Sequence, residues 1–88
     1  MVPDTVVRLE VRYFAGAAAA AGVPSETFDL PAGADVASLR AALADRHPRL
    51  RPVLEVASLL VDERSVSDPS WSLDGATQVD VLPPFAGG

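Results

Sequence analysis

Residues 6–14 read V-V-R-L-E-V-R-Y-F and carry the clearest structural pattern in this chain of 88 residues. The apolar residues alternate with Arg8, Glu10 and Arg12, and this two-residue period is that of a β-strand with one buried face. The stretch therefore predicts a half-buried strand near the start of the domain. The apolar members of the alternation are Val7, Leu9, Val11 and Tyr13.

Two short elements are predicted directly after this strand. Residues 15–21 are six alanines and one glycine, which predict a compact helical turn that Gly22 ends. Residues 25–30 again alternate between apolar and polar side chains and predict a second strand. A Pro-Ala-Gly turn at residues 31–33 closes this strand.

The main helix is predicted to begin after Asp35, which is a suitable N-cap residue. Apolar residues then recur at helical spacing, and Pro48 ends the helix near His47. The members of this apolar stripe are Val36, Leu39, Ala42 and Leu43. Residues 49–56 predict an irregular arm that could hold a short helical turn.

Short strands complete the predicted pattern. Residues 58–62 read S-L-L-V-D, a turn at Asp62 leads into a fourth strand around Val66, and residues 78–82 form the last strand. This order of elements predicts an α+β domain of the β-grasp (ubiquitin-like) type at residues 1–82. We expect a mixed sheet of four to five strands, with one main helix packed across it and the last strand paired with the first. The pairing order does not follow from periodicity and rests partly on the resemblance given below.

The composition is that of one globular domain. Hydrophobic residues make up 49% of the chain and charged residues 22%, values that are not those of a disordered chain. The formal net charge of −5 argues against nucleic acid as a partner, because phosphate binding needs a basic surface. The absence of cysteine excludes disulfides and thiolate metal sites. No signal peptide or membrane-spanning stretch is recognisable, so we expect a cytoplasmic protein that does not bind membranes.

Catalysis by side chains is not expected from this sequence. The single histidine, His47, stands at the end of the predicted main helix, and we interpret it as a surface residue that caps that helix. One histidine without any cysteine does not supply the usual zinc ligands, so no metal site is predicted. The chain also lacks a G-x-x-x-x-G-K-[ST] phosphate loop and a G-x-S-x-G nucleophile elbow.

The segment that points to a function is the tail at residues 83–88, P-P-F-A-G-G. Pro83 and Pro84 stiffen its base and favour an extended path. Gly87 and Gly88 have no side chains, so this segment can enter a channel too narrow for other residues. Adenylation of the Gly88 carboxylate would make it an acyl donor, and sulfur could then replace an oxygen. The alternative interpretation is a frayed, flexible end rich in small residues.

Four segments carry a family resemblance. They are L-E-V-R-Y-F-A at 9–15, D-V-A-S-L-R-A-A-L at 35–43, S-L-L-V-D at 58–62 and V-D-V-L-P-P-F-A-G-G at 79–88. Together they cover nearly the whole chain and resemble the MoaD/ThiS family of sulfur carriers, the MoaD branch most closely. The ending is the specific part, because the MoaD branch typically closes with Pro-Pro, a hydrophobic residue and Ala-Gly-Gly.

This resemblance implies a chemistry for the tail. An E1-like adenylyltransferase would use ATP to activate the Gly88 carboxylate, and a sulfur donor protein would convert it into a thiocarboxylate. The loaded tail would insert into the large subunit of molybdopterin synthase, MoaE, and donate sulfur to a molybdopterin precursor. The carrier would bind no cofactor and would act as a subunit and co-substrate without catalytic side chains. The residues inserted with Gly88 would be Pro83, Pro84, Phe85, Ala86 and Gly87.

The resemblance also implies an apolar docking patch around the tail. Its members by position are Phe14, Val66, Leu82 and Phe85. For the first three, packing in the core is the alternative interpretation. Phe85 lies beyond the last predicted strand, where little core is available, and we interpret it as a partner contact.

Three other functions remain open from the sequence. The same tail chemistry could serve thiazole synthesis, cysteine synthesis or tRNA thiolation. A ubiquitin-like modifier would instead become amide-linked to lysines of other proteins. A plain interaction module would not need the last two residues. Pro83-Pro84 favours the molybdopterin role among these.

Overall fold

The computed structural model of the chain describes residues 6–84, and its elements follow the order expected from the sequence. Within that range the chain forms five strands and three helices. These are β1 (Val6–Tyr13), α1 (Gly16–Ala21), β2 (Ser25–Pro31), α2 (Val36–Arg46), α3 (Leu50–Val56), β3 (Ser58–Val61), β4 (Arg64–Val66) and β5 (Gln78–Leu82).

The strands form one mixed sheet in the order β2-β1-β5-β3-β4. β1 pairs antiparallel with β2 and parallel with β5, whereas β3 pairs antiparallel with both β5 and β4. The last strand therefore lies at the centre of the sheet beside the first. This arrangement, with α2 as the longest helix, confirms the predicted β-grasp fold.

The helices cover one face of the sheet and enclose the core. Leu9 and Val11 of β1 are fully buried, and they belong to the same hydrophobic cluster as Leu39 and Leu43 of α2. The apolar side chains of residues 6–14 are thus buried, as predicted, and they belong to the same core as the apolar stripe of the main helix.

We call the other side of the sheet the open face. Its side chains alternate with the buried ones along each strand. From β1, β5 and β3 they are Val6, Arg8, Glu10, Arg12, Gln78, Asp80, Leu82, Ser58 and Leu60. Leu60 is assigned to this face because it lies directly opposite Asp80 in the β3–β5 register.

Two helix ends form as the sequence predicts. The carboxylate of Asp35 accepts a hydrogen bond from the backbone N–H of Ser38 at 2.9 Å and caps α2. Gly22 ends α1 with a φ of 80°, a left-handed conformation that glycine adopts without strain. Its N–H donates to the carbonyl of Ala18 at 2.8 Å.

The region expected to be an irregular arm that could hold a short helical turn forms the seven-residue helix α3. Leu50 and Leu54 are four residues apart, which places both on one helical face, and both are buried. Pro52 does not prevent the helix, since it lies in the first turn, where a backbone N–H has no partner within the helix. None of the helices within residues 6–84 is long and apolar enough to cross a membrane.

Candidate functional site

The base of the tail leaves the fold from the middle of the sheet. β5 lies between β1 and β3 and ends at Leu82. The backbone N–H of Phe14 donates to the carbonyl of Val81 at 3.2 Å, so β1 supports the last strand almost to its end. Pro83 is half-buried and Pro84 is exposed. The segment that follows therefore starts from a base held by strands on both sides.

Phe14 and Leu82 lie side by side at this end of the sheet. Tyr13 is paired with Val81 in the parallel register, so the next residues on each strand adjoin one another. Both Phe14 and Leu82 are half-buried, so they retain exposed apolar surface next to the tail. The structure thus brings together two of the residues that the family resemblance assigns to a docking patch.

Val66 lies on the opposite face of the sheet from this pair. It is paired with Leu59 in the β3–β4 register, and both side chains are in the hydrophobic core. Only 6% of Val66 is exposed. The structure therefore gives Val66 the core position that the sequence left open as an alternative.

Four of the tail residues named from the sequence lie outside the described residues. They are Phe85, Ala86, Gly87 and Gly88. Their assignments as a partner contact, as inserted residues and as the reactive carboxylate stay predictions.

An ion pair that the sequence did not indicate lies beside Phe14 and Leu82. Arg12 Nε donates to Asp80 Oδ1 at 2.8 Å, and Arg12 Nη2 donates to Asp80 Oδ2 at 3.0 Å. The Asp80 side chain is only 7% exposed, although no helix covers this face among the described residues. Arg12 Cζ lies 5.6 Å from the centroid of the Phe14 ring, within the range of a cation–π contact.

The sequence contained a partial signal for this pair. Arg12 and Asp80 alternate with buried residues in their own strands, which places each of them on the open face. Their pairing could not be inferred, because it depends on β1 lying directly beside β5. Leu60 was also missed, although the two adjacent leucines in S-L-L-V-D must point to opposite faces of a strand.

A second polar cluster lies on the core side of the same end of the sheet. The Tyr13 hydroxyl donates to Glu26 Oε2 at 2.6 Å, and His47 Nε2 lies 2.5 Å from the same oxygen. Arg46 Nη1 reaches Glu26 Oε1 at 3.4 Å. The prediction that His47 is a surface residue is wrong, because its side chain is only 18% exposed and its ring packs edge-on against Tyr13. It does occupy the C-cap position of α2.

The cluster favours an ionised Glu26. Burial alone would raise the pKa of Glu26. Hydrogen bonds from Tyr13 and His47, the charge of His47 and the hydrogen bond from Arg46 together outweigh the effect of burial, so the pKa of Glu26 is lowered. Burial and the hydrogen bond to Glu26 raise the pKa of Tyr13, which stays a neutral donor. These contacts join β1 and β2 to the end of α2, so we assign the cluster to the fold rather than to catalysis.

We expect Glu26→Gln to lower the free energy of unfolding at neutral pH by about 1–3 kcal/mol, because it weakens hydrogen bonds to a charged group. Since the pKa of Glu26 is lower in the folded chain than in the unfolded one, its contribution is complete above the ordinary glutamate pKa. The contribution is lost as the pH falls through the lowered value. Urea unfolding measured from neutral pH to below about pH 4 should therefore show the two proteins converging in acid. A difference that does not change with pH would contradict this role of Glu26.

The described residues offer a platform for the tail. Within residues 6–84, no group of three or more His, Cys, Asp or Glu side chains is placed to hold a metal ion. What distinguishes this end of the sheet is a rigid strand end with apolar surface around it. Such an arrangement can present a short extended segment to another protein's active site.

Comparisons of the sequence and of the fold with known proteins find similarity to related proteins. The family model described as "ThiS family" matches residues 11–88. The molybdopterin synthase sulfur carrier subunit of Caenorhabditis briggsae is 30% identical over 84 residues, which cover 94% of this chain and 100% of the relative.

Two solved structures are similar to this chain. A putative molybdopterin converting factor subunit 1 from Pyrococcus furiosus has a TM-score of 0.76 at 28% identity, covering 90% of this chain and 99% of that one. A complex of subunits 1 and 2 of the molybdopterin-converting factor from Helicobacter pylori contains a chain with a TM-score of 0.61 at 27% identity, covering 92% and 99%. These matches confirm the resemblance noted from the sequence, and the chain belongs to the ThiS family.

Proposed function

We propose that this chain is a cytoplasmic sulfur carrier that acts as the small subunit of molybdopterin synthase. The carboxylate of Gly88 would be converted into a thiocarboxylate that donates sulfur to a molybdopterin precursor. The observation that carries the proposal is the departure of the tail from the end of the central strand β5, in a chain whose family match extends to residue 88. Relatives named as molybdopterin synthase sulfur carrier subunits favour this acceptor over other sulfur pathways.

The chemistry requires two successive steps at the carboxyl group of Gly88, the first at an oxygen and the second at the carbon. A carboxylate oxygen of Gly88 would attack the α-phosphorus of ATP and displace pyrophosphate, which leaves a mixed anhydride with AMP. The outer sulfur of a persulfide on the sulfur donor protein would then attack the carbonyl carbon and displace AMP, which leaves an acyl disulfide. A thiol would attack the donor's own sulfur in that acyl disulfide, which forms a disulfide and releases the thiocarboxylate. The chain contributes the reacting carboxylate, and the partner proteins contribute the groups that stabilise the developing charge.

Three protein partners follow from this chemistry. An E1-like adenylyltransferase would bind ATP and activate Gly88, and a sulfur donor protein would supply the sulfur. The large subunit of molybdopterin synthase would take up the loaded tail. The solved complex of subunits 1 and 2 from Helicobacter pylori supports the last of these, since one chain of that complex is similar to this chain over 99% of its own length. No cofactor of its own is proposed for the carrier.

The geometry of the described residues suits the carrier role because neighbouring strands hold the base of the tail. Pairing with β1 and β3 holds β5 in place up to Leu82. The two prolines that follow restrict the directions in which the tail can leave. A preorganised base lowers the entropy lost when the tip enters an active site on a partner.

The intact mass of the protein tests this proposal. After incubation with ATP, the activating enzyme and a sulfur source, we expect a species heavier by one exchange of sulfur for oxygen. Fragmentation should locate the change to Gly88, and the matched control that lacks residues 87–88 should keep its mass. An unchanged mass of the full chain under these conditions would overturn the carrier role. Stable amide conjugates on other proteins would instead favour a protein modifier.

A further inference from the structure

The end of the open face next to the tail is not uniformly apolar. Phe14, Leu60 and Leu82 are half-buried there, and the Arg12–Asp80 ion pair lies among them. We call these five residues the tail-side patch. Any protein that covers Phe14 and Leu82 in order to receive the tail must also cover Arg12, because its guanidinium lies against the Phe14 ring.

The guanidinium of Arg12 is only partly used by the fold. Its Nε and Nη2 donate to the two oxygens of Asp80, at 2.8 and 3.0 Å. A guanidinium has five N–H donors, so three remain beyond the two bonded to Asp80. The Arg12 side chain is 41% exposed, which leaves water as an available acceptor in the free protein.

Docking of a partner would remove that water. A donor that is buried without an acceptor carries the full cost of its desolvation, and this cost is larger for a charged group. An entirely apolar partner surface would therefore bind the tail-side patch poorly. A surface that offers oxygen acceptors at this point would be selected over one that does not.

The charges around Arg12 favour a neutral acceptor. Asp80 already balances the guanidinium, and Glu10 and Glu63 add further negative charge near it. A partner carboxylate placed against Arg12 would be repelled by the buried Asp80 carboxylate. A peptide or amide carbonyl would accept the remaining hydrogen bonds without this repulsion.

We propose that Arg12, held in place by Asp80, is a partner-recognition residue of the tail-side patch. Its outward N–H groups bond to carbonyl oxygens on the large subunit that receives the tail. This inference rests on the proposed function, because that function identifies the partner. It adds a polar requirement at the centre of a docking surface that is otherwise apolar.

The chain provides a matched control for the test. Arg8 and Asp29 form the same two-bond pair, at 2.8 and 3.1 Å, and Arg8 lies on the same face of β1 as Arg12. That pair is more exposed, at 71% and 46% of its side chains, and lies four residues back along β1 from the tail. Removal of either pair changes the same charges, but only one pair lies in the tail-side patch.

The experiment measures the dissociation constant for the large subunit by calorimetry. The double variant Arg12→Met with Asp80→Ala is expected to bind roughly tenfold to a hundredfold more weakly, since acceptors on the partner lose their donors. The control, Arg8→Met with Asp29→Ala, should bind within about twofold of the unaltered chain. The loss should persist at high salt, because the partner's acceptors are neutral and the lost hydrogen bonds are not ion pairs.

A second variant covers the case in which the double variant does not fold. Arg12→Lys keeps a cation beside Asp80, but an ammonium cannot form the planar fork that bonds Asp80 and the partner together. We expect weaker binding from a chain that still unfolds cooperatively on heating, with only a modest fall in its unfolding temperature. Equal affinity of Arg12→Lys and the unaltered chain, or equal losses in the two double variants, would overturn the inference. A loss that disappears at high salt would also overturn it.

The test separates this inference from the proposed function. Failure of the unaltered chain to bind the large subunit would overturn both. Normal binding and thiocarboxylation of the unaltered chain, with no effect of Arg12 substitution, would overturn only the role of Arg12. Formation of the thiocarboxylate by the activating enzyme, measured on the same variants, reports whether the tail itself still reacts.

Discussion

Replacement of Gly88 by alanine is expected to slow formation of the thiocarboxylate by about a hundredfold or more, because a misplaced reacting group loses most of its catalysed rate. The proposed channel admits a chain without side chains, and one methyl group at the last position would shift the carboxylate. Among residues 6–84, the members of the hydrophobic core run from Val7 to Val81 in the sequence, and the substitution alters none of them. We therefore expect no change in the free energy of unfolding. The rate is measured in a single turnover by intact mass, and the stability by thermal unfolding.

Gly16→Ala is the matched control for this experiment. A Cβ added at Gly16 meets no atom within 4 Å, so the same methyl group enters open space at the start of α1. This variant should be thiocarboxylated at the normal rate. A normal yield from Gly88→Ala, under conditions in which the unaltered chain reacts, would contradict the narrow-channel mechanism.

The largest effect on stability is expected from Leu59→Ala. Leu59 of β3 is 1% exposed in the hydrophobic core, and its truncation leaves a cavity below the sheet. Loss of a buried leucine side chain costs about 2–5 kcal/mol, a large share of the roughly 5–15 kcal/mol that stabilises a domain of this kind. Urea unfolding at neutral pH measures the change.

Leu60→Ala is the control, since it makes the same substitution one residue along the strand. Leu60 points to the open face and is half-buried, so water can reach the space that its side chain leaves. We expect a loss of about 1 kcal/mol or less, well below that of Leu59→Ala, since substitutions at surface positions usually change stability by no more than about 0.5 kcal/mol. Equal losses at the two positions would mean that the assignment of faces along β3 is wrong.

The strands and the main helix could be predicted because their signals are local. Apolar and polar residues alternate in residues 6–14, and this shows the buried face of the strand because successive side chains point to opposite faces. Asp35 and Gly22 form hydrogen bonds with residues only three or four positions away, at one end of a helix each. The helix α3 was predicted only as a short helical turn that an irregular arm could hold, because its apolar pair, Leu50 and Leu54, is a short pattern. Packing of both leucines into the core stabilises it.

The candidate site was predicted in part. Phe14 and Leu82 do adjoin at the base of the tail, as the family resemblance implied. Val66 lies in the core. A strand of three residues is too short for its sequence to show which side chains are buried, and here the pairing with the buried Leu59 decides it. His47 became half-buried because Glu26 on β2 and Tyr13 on β1 meet the end of α2, a contact that local sequence does not contain.

The sequence by itself determined the class of fold, the ends of the main helix and the chemistry proposed for the tail, since each depends on residues that are close together in the chain. The tertiary structure alone decided what surrounds that tail. Arg12 and Asp80 are 68 residues apart and meet only because β5 enters the sheet beside β1. Strand order is set by which buried faces pack together. The alternation of apolar and polar residues along one strand shows which of its side chains are buried but does not show which strand lies beside it.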